Sequence, residues 1–414
     1  MTALWRRWFV QRDDALLADA DICVKCGLCL PHCPTYKQTQ DENESPRGRI
    51  ALIQAWANGQ LDASEKLLGH LDNCLLCRSC ERVCPAVVPY SRLIDNFRSR
   101  RYLRGEASLA LSLMKKVSHN KAVNRLAQKS LKFYQAGRLQ KAARVLKLPE
   151  LLHLDTIDRL LPEYHEPMPM QTYYAAQKHH KGDVGLFVGC MGQLLDHETV
   201  NAAVKLLTAI GFNVHVPEQQ ACCGALALHD GDRETAEQLA AINCRAFSGY
   251  SLEAIVTIAS GCGSRLQEYQ QTEFAGKVID ISRFLMQYAE KNLAERLLPL
   301  DATVCVHTPC SLKNVMRSEK EVAMLLRQIP GIAIKALPET IPCCGSAGSY
   351  MLDHAEMAQA LLGDLLAVAL EKQPGYLVSS NIGCALHIAA GLRERGIALE
   401  VLHPVALLAR QLKA

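Results

Sequence analysis

Two cysteine runs with one spacing lie near the start of the chain. They read CVKCGLCLPHCP and CLLCRSCERVCP, so each follows the pattern C-x2-C-x2-C-x3-C-P. Their cysteines are Cys23, Cys26, Cys29 and Cys33 in the first run and Cys74, Cys77, Cys80 and Cys84 in the second. Thiolate sulfur binds both zinc and iron–sulfur clusters. A zinc site needs neither the third cysteine nor the Cys-Pro ending, so the spacing favours iron–sulfur clusters over zinc.

The order of these cysteines predicts which of them share a cluster. Three thiolates two residues apart can surround one [4Fe–4S] cubane, while the fourth, turned away by proline, reaches the neighbouring cluster. We therefore predict two [4Fe–4S] clusters with crossed ligands. Cluster 1 takes Cys23, Cys26, Cys29 and Cys84, and cluster 2 takes Cys33, Cys74, Cys77 and Cys80. Two cubanes in one small module typically carry single electrons through a protein.

Eight further cysteines form two sets, each built around an adjacent pair that is followed by glycine. The sets are Cys190, Cys222, Cys223 and Cys262, and, 120 to 122 residues later, Cys310, Cys343, Cys344 and Cys384. Adjacent cysteines rarely bridge each other, because the disulfide would strain the peptide between them. They can hold two neighbouring irons, and the glycine would let the backbone approach a ligand. We interpret each set as a candidate metal site, with buried structural cysteine as the alternative.

The elements that must position these cysteines change along the chain. A helix is predicted from Pro46, after the N-cap Ser45, to a stop at Gly59. From about residue 181, apolar runs such as DVGLFVGC, FNVHV and AIVTIASGC alternate with amphipathic stretches, and TVCVHTPC, IAIKAL, YLVSSNIGC and ALEVLHP repeat the theme. Strands alternating with helices predict parallel sheets, whose carboxyl edges bind ligands. We expect two similar α/β units facing each other, with Cys244 and Cys305 as packing residues outside the repeat.

The predicted fold class is therefore mixed. An α-helical ferredoxin-like domain with two clusters precedes a helical basic middle segment and a duplicated α/β half with parallel sheets. The predicted boundaries are 1–97 for the ferredoxin-type domain, 98–180 for the basic segment and linker, 181–300 for the first cysteine-rich unit and 301–414 for the second. A hydrophobic content of 49% in 414 residues is enough for several buried cores.

Basic residues concentrate between Arg98 and Leu148, where 14 lysines and arginines accompany one acid, Glu106. Such a surface suits anionic lipid, an acidic partner or nucleic acid, and a solvated helix face is the plain alternative. Few aromatic residues and no recognition motif accompany it, so we expect no nucleic-acid binding. No apolar run reaches membrane-spanning length, and the N-terminus lacks a secretory signal. We expect a cytoplasmic protein, with peripheral contact at the cytoplasmic face of the inner membrane as an option.

At this point the motifs resemble a known family. The stretches CGLC…CPTY, ESPRGRI, HLDNCLLCRSCE, CCGAL, ASGCG, PCSL, CCGSAGSY and NIGC are similar to those of the glycolate oxidase iron–sulfur subunit, from about residue 20 to 405. The second half also resembles the cysteine-rich CCG domains of heterodisulfide reductases, lactate-utilisation proteins and the anaerobic glycerol-3-phosphate dehydrogenase C subunit.

The resemblance implies a division of labour between subunits. Partner subunits that carry FAD would oxidise glycolate, or D-lactate, to the 2-oxo acid, and this chain would pass the electrons on to membrane quinone. The chain itself has no GxGxxG or P-loop fingerprint, which agrees with a hydride acceptor on a partner. An iron–sulfur subunit of a related oxidoreductase, serving lactate, glycerol 3-phosphate or a disulfide, is the alternative.

The chain departs from heterodisulfide reductases in the CCG units. Those units end in CxxC and offer five thiols, whereas CGSR at Cys262 and CALH at Cys384 lack the last cysteine. Four thiols per unit suit a cubane, a zinc ion or no metal. Four histidines near these sites, His229, His307, His387 and His403, are expected to be core residues, with cluster tuning or proton relay as the alternative.

Overall fold

The computed structural model describes residues 13–102, 116–117, 120–136, 139–152, 154–162, 170–177, 179–288, 293–338 and 343–413. Residues 1–12, residues 103–115 of the predicted basic segment and residues 163–169 of the predicted linker lie outside these ranges. Within the described ranges, helices precede two mainly parallel sheets. The predicted mixed fold class is confirmed.

The first part of the described chain is helical. Its helices are α1 (Asp14–Ala20), α2 (Pro34–Thr39), α3 (Pro46–Ala57), α4 (Glu65–Asp72), α5 (Ser79–Arg82) and α6 (Tyr90–Tyr102), with 3-10 turns at Leu30–His32 and Glu42–Glu44. The helix predicted after Ser45 is α3. The Ser45 side chain accepts a hydrogen bond from the Gly48 N–H at 2.9 Å, and Pro46 occupies the first turn, where a missing N–H costs nothing.

Apolar side chains from α1, α3, α4 and α6 meet in one small core. Leu16, Ile53, Leu71 and Leu93 are fully buried in it. Each contributes about 1.5–3 kcal/mol of transfer free energy relative to an exposed side chain. This core fixes the positions of the loops between the helices, which carry the cysteines.

The middle of the chain is helical where it is described, in α7 (Lys121–Ala136), α8 (Leu139–Val145), α9 (Leu148–Leu151) and α10 (Asp155–Leu160). The buried carboxylate of Asp158 joins three of these helices. It accepts hydrogen bonds from Tyr134 Oη at 2.9 Å and Gln140 Nε2 at 3.0 Å, and it pairs with Arg144 at 2.6 Å. None of the described helices is both long and apolar enough to cross a membrane.

Two parallel sheets form the second half. The first contains β1 (Tyr173–Tyr174), β2 (Gly182–Phe187), β3 (Phe212–His215), β4 (Ala254–Thr257) and β5 (Val278–Asp280), and the second contains β6 (Thr303–His307), β7 (Ala333–Ala336), β8 (Tyr376–Ser379) and β9 (Glu400–Leu402). The strand orders are β1-β3-β2-β4-β5 and β7-β6-β8-β9. Apart from the antiparallel β1, the two orders are the same, so the repeat in the sequence is a repeat in topology.

Helices cover both sheets. In the first unit they are α11 (Gly189–Leu195), α12 (His197–Ala209), α13 (Ala225–His229), α14 (Arg233–Ser248), α15 (Ser260–Gln267), α16 (Thr272–Gly276) and α17 (Ile281–Tyr288), and in the second α18 (Glu319–Leu326), α19 (Tyr350–Asp353), α20 (Ala355–Glu371), α21 (Ile382–Glu394) and α22 (Pro404–Gln411). A π-helical turn follows β6 at Leu312–Met316.

One apolar cluster includes buried side chains of both units, among them Val256, Phe284, Val306 and Leu408. The two units therefore share a core and face each other.

Two short strands were not among the predicted ones. Val278–Asp280 and Tyr173–Tyr174 have three and two residues, too few for an alternating pattern to stand out from the surrounding sequence. The second of them lies in the range that the sequence assigned to the linker, and it pairs with β3. The boundaries between the predicted domains stay a prediction.

The last strand of each sheet leads into a helix through a buried polar cap. Asp280 Oδ1 accepts from the Ser282 N–H at 2.8 Å before α17, and His403 Nδ1 accepts from the Val405 N–H at 3.2 Å before α22. Burial raises the pKa of Asp280 to about 6, and its second carboxylate oxygen has no hydrogen-bond partner. Burial lowers the pKa of His403 to about 3, so that the imidazole is neutral and can accept. His403 is thus a capping residue.

We predict that Asp280→Asn stabilises the protein at neutral pH. The native pKa of Asp280, about 6, exceeds the usual value of 3.8. Between these two pH values the native state binds more protons than the unfolded state. The free energy of unfolding of the wild type therefore falls as pH rises from 4 to 6. Asparagine keeps the cap without this titration. The free energy of unfolding at pH 7.5 should rise by on the order of 2–3 kcal/mol, and the gain should vanish below pH 4. Urea unfolding at several pH values measures this, with the exposed Asp301→Asn as control. A gain that does not depend on pH would contradict the explanation.

Candidate metal centres

The four cysteines predicted for cluster 1 line one cavity. Cys23, Cys26 and Cys29 reach it from the loop between α1 and the first 3-10 turn, and Cys84 reaches it from the end of the second motif. Burial raises the pKa of the Cys29 thiol, against an opposing hydrogen bond. The structure therefore brings together the thiols that the crossed pattern groups, and the donor set fits a [4Fe–4S] cluster.

The four cysteines predicted for cluster 2 line a second cavity. Cys74, Cys77 and Cys80 come from the second motif and Cys33 comes from the end of the first. Cys80 also borders the first cavity, so the two sites adjoin. The Tyr90 hydroxyl donates a hydrogen bond to Cys74 Sγ at 3.6 Å. The donor set of this second cavity also fits a [4Fe–4S] cluster. The binding of one cluster by each of the two sets stays a prediction.

The two cysteine loops share an unusual backbone conformation. Lys25 and Leu76, each just before the second cysteine of its motif, have φ values of +55° and +49°. Gly27 and Arg78, each just after that cysteine, have φ values of +84° and +60°. Left-handed residues between right-handed ones turn successive N–H groups towards one point, which is how backbone nests hold anions. This repeated strain is typical of a functional loop.

The environments of the two cavities differ. Around the first, Val24 and Leu28 are 69% and 55% exposed, Val87 is 77% exposed, and Cys26 itself is exposed. Around the second, Cys33, Cys74 and Cys80 are buried. Burial raises the pKa of Cys80 well above its usual range. One site therefore faces solvent, and the other lies inside the protein.

A buried ion pair holds the second cavity together. Arg49 is 1% exposed and its guanidinium contacts the Glu44 carboxylate at 2.5 Å. It also donates to the carbonyls of His70 at 2.7 Å and Asn73 at 3.1 Å, and to Thr35 Oγ1 at 3.1 Å. Glu44 in turn accepts from the Asn73 amide at 2.7 Å and contacts His70 Nδ1 at 2.6 Å.

These contacts connect the two motifs. Thr35 follows Cys33 by two residues, and Asn73 directly precedes Cys74. Arg49 thus positions thiols that are 41 residues apart but line one cavity. The structure shows Arg49 as a buried residue that connects the two motifs. No short motif signals such a role, because its partners are two backbone carbonyls, a hydroxyl and a carboxylate from separate loops.

The first CCG unit brings its four predicted thiols into one row. Cys190 Sγ and Cys222 Sγ are 3.7 Å apart, Cys222 hydrogen-bonds with Cys223, and Cys223 with Cys262. Hydrogen bonds from Cys222 and Cys262 hold the pKa of Cys223 well below its usual range. The Tyr269 hydroxyl donates a hydrogen bond to the Cys223 carbonyl at 2.9 Å.

The second CCG unit repeats this row. Cys310 contacts Cys343, Cys343 contacts Cys344, and Cys344 Sγ lies 2.9 Å from Cys384 Sγ. Hydrogen bonds from Cys310 and Cys344 lower the pKa of Cys343. His387 Nδ1–H donates to the Cys344 carbonyl at 3.0 Å. One thiolate is therefore favoured in each unit, at Cys223 and at Cys343, whereas the pKa values of Cys222, Cys262, Cys310 and Cys344 are raised.

The helices contribute to both sites. Cys262 and Cys384 lie in the first turns of α15 and α21, so the helix N-termini position both thiols. The sequence pattern did not predict that helices begin there. Among the cysteines outside the repeat, Cys305 is fully buried in β6, whereas Cys244 is half-buried on α14.

The glycines after the doublets have a packing role that the sequence did not predict. Gly224 and Gly345 have φ values of +79° and +82°, and a Cβ at these positions would approach the Ala236 carbonyl to 3.1 Å and the Ala358 carbonyl to 2.4 Å. They permit a left-handed turn that packs on a helix. Close approach of the backbone to a ligand, the role that we predicted, stays a prediction.

The ferredoxin-like module docks on both CCG units. Asn314 Nδ2 in the second unit donates to the Cys77 carbonyl at 2.7 Å, and Cys77 packs in one apolar cluster with Cys343. On the first unit, Arg78 pairs with Glu268. The second cavity is thus held directly against the thiol row of the second unit.

We predict that Arg49→Met destabilises the protein and its second metal site together. The Glu44 carboxylate would stay buried without its guanidinium, which typically costs about 3–5 kcal/mol. Arg47→Met, which removes an exposed ion pair with Glu42, should cost less than about 1 kcal/mol. Thermal unfolding and iron content per chain measure both effects. Equal losses in the two variants would show that burial of Arg49 is not what matters.

Comparison with known protein families defines the class. The 4Fe-4S dicluster domain family matches residues 19–88, and the Cysteine-rich domain family matches residues 184–267 and 304–389. Together with the two thiol-lined cavities, these matches define an iron–sulfur protein with a domain of the 4Fe-4S dicluster family and two cysteine-rich units.

Whole-chain relatives then identify the family. The chain is 33% identical over 406 residues to the probable glycolate oxidase iron–sulfur subunit of Bacillus subtilis, covering 92% of this chain and 90% of the relative. It is 31% identical over 402 residues to the glycolate oxidase iron–sulfur subunit of Escherichia coli, covering 92% and 93%. Lactate utilization protein A 2 of Bacillus cereus matches at 26% over 242 residues, 55% of this chain and 98% of the relative. The chain belongs to the glycolate oxidase iron–sulfur subunit family, which confirms the predicted resemblance.

Proposed function

We propose that this chain is the electron-transfer subunit of a multi-subunit FAD-dependent 2-hydroxy-acid dehydrogenase that oxidises glycolate to glyoxylate. D-lactate, oxidised to pyruvate, is a further substrate of the same chemistry. The hydroxy acid gives two electrons to flavin on partner subunits, and this chain carries them one at a time towards membrane quinone. The observation that carries the proposal is the pair of adjoining cavities, each lined by the four thiols of a crossed ferredoxin pattern.

The proposed cluster ligands are those of the sequence pattern: Cys23, Cys26, Cys29 and Cys84 for cluster 1 and Cys33, Cys74, Cys77 and Cys80 for cluster 2. Bound there, the clusters supply one-electron transfer. The thiol rows of the two CCG units are candidate sites for a further cluster or zinc. The chain's own residues position the thiols, exclude water from the second cavity and leave the first near the surface.

The exposed first site supports an entry point for electrons. Val24 and Leu28 flank Cys26 on its loop and line this cavity, and the exposed Val87 lies between the lining residues Ala86 and Val88. Apolar side chains at the centre of a surface patch typically anchor a protein partner. We therefore propose that the flavoprotein subunit docks over cluster 1. The described part of the basic segment, including α7, is a candidate contact with the anionic membrane surface on the cytoplasmic side.

Crossed ligation can be tested by spectroscopy. We predict that Cys84→Ser changes the same electron paramagnetic resonance signal as Cys26→Ser, because both thiols line the first cavity. Cys33→Ser should change the signal that Cys77→Ser changes. Spectra of the reduced full-length variants measure this, and about eight irons are expected in the two intact cubanes. If Cys33→Ser instead altered the signal of Cys26→Ser, the uncrossed arrangement would be correct.

The function and the docking surface are tested together. We predict that the chain co-purifies with a flavoprotein and that glycolate reduces its clusters in that complex. Val87→Asp should weaken the association at least about tenfold while the cluster spectra stay intact. Met324→Asp, an exposed apolar residue of the second unit, is the control. Reduction by D-lactate or glycerol 3-phosphate without reduction by glycolate, or oxidation of the reduced clusters by a disulfide, would assign the chain to the related oxidoreductases instead.

A further inference from the structure

The two CCG units differ at one buried position beside their thiols. Phe187 ends β2 and is paired with Thr257, the last residue of β4, whereas His307 ends β6 and is paired with Ser379, the last residue of β8. The strand orders are equivalent, so His307 in the second unit occupies the position of Phe187 in the first. Both side chains are buried.

In the first unit this position is apolar. Phe187 belongs to the same cluster as Cys222 and Cys223, and its ring packs near Phe247, with centroids 6.4 Å apart. An ideal Cβ on Gly189 would lie 3.3 Å from the Phe187 ring and 3.5 Å from Cys262 Sγ. The phenyl ring thus lies beside the thiol row without offering a ligand atom. The first unit has sulfur donors only among these residues.

In the second unit the imidazole joins the thiols. One ring nitrogen of His307 and the sulfurs of Cys344 and Cys384 all lie within 4.8 Å of one another. The 2.9 Å between the two sulfurs is longer than the roughly 2.05 Å of a disulfide. His307 Nδ1 and Ser379 Oγ are 3.0 Å apart. A partner on one ring nitrogen is how metal-binding histidines are oriented while the other nitrogen binds the metal.

The distances favour a single ion over a cubane. Zinc–sulfur bonds of about 2.3 Å and zinc–nitrogen bonds of about 2.0–2.1 Å keep all ligands of one ion within roughly 4.6 Å of one another. The ligands of a cubane each bind a different iron and are spread around its corners. A mixed set of thiolates and one neutral imidazole is a donor set that zinc prefers.

We propose that the second CCG unit holds one divalent ion of the zinc type, ligated by His307, Cys344 and Cys384. Among the described residues these three lie close enough together for one ion, and the fourth tetrahedral position takes a further donor. The first unit, with Phe187 in place of the histidine, has an all-thiolate set. The duplicated units therefore hold different centres. This inference concerns the unit's own donor atoms and does not rest on the proposed dehydrogenase function.

Metal analysis of the full-length chain tests the proposal. The wild type, purified anaerobically, should contain about one zinc per chain, and X-ray absorption at the zinc edge should show one nitrogen at about 2.0–2.1 Å besides sulfur at about 2.3 Å. His307→Phe, which installs the residue of the first unit, should lose this zinc and keep the iron of the ferredoxin-like module. His229→Phe removes a histidine outside both thiol rows, and it should keep zinc and iron.

A second variant covers the case in which His307→Phe fails to fold. His307→Cys replaces imidazole by thiolate, and it should retain zinc with an all-sulfur shell. The proposal is overturned by a wild type without zinc, by an all-sulfur zinc shell in the wild type, or by His307→Phe that keeps its zinc. Failure of glycolate to reduce the clusters would overturn the proposed function and leave these metal measurements unaffected.

Discussion

The ion pair between Arg49 and Glu44 is the contact on which the candidate redox sites depend. A guanidinium out of water is costly unless each of its N–H groups is used, and here they meet a carboxylate, two carbonyls and a hydroxyl. These acceptors belong to loops on both sides of the second cavity. Four thiols from motifs far apart in sequence can face one point only while those loops stay together. The pair therefore specifies geometry more than it adds stability.

The duplicated half shows how one topology can support two different sites. Both units place a cysteine after the first strand, a doublet on a loop and a cysteine at a helix N-terminus, and both form the same row of sulfur contacts. The surrounding residues differ between the two units. Phe187 in the first unit corresponds to His307 in the second, and Arg265 corresponds to His387. Duplication preserved the backbone framework, while the donor atoms beside it were free to change.

Much of this architecture could be read from the sequence, because cysteine spacing and strand patterns are local. The crossed motifs group the thiols that line each cavity, and the repeat offset of about 120 residues corresponds to the repeated strand order. What could not be predicted depends on contacts between distant residues. Arg49, the capping role of His403, the position of His307 beside the thiols and the helix that packs on Gly345 have no signature within a short window. The strands at Tyr173 and Val278 were too short to be recognised.

The contact between the Cys77 loop and the second CCG unit has a consequence for biogenesis. Asn314 and the apolar residues around Cys343 close over that loop, and they lie more than 230 residues later in the chain. The ferredoxin-like segment leaves the ribosome well before the part that covers it. Iron and sulfide delivered to the growing chain would find the loop open, whereas after completion one side of the loop is already covered by the last unit. Maturation of the inner site is thus coupled to the order of synthesis.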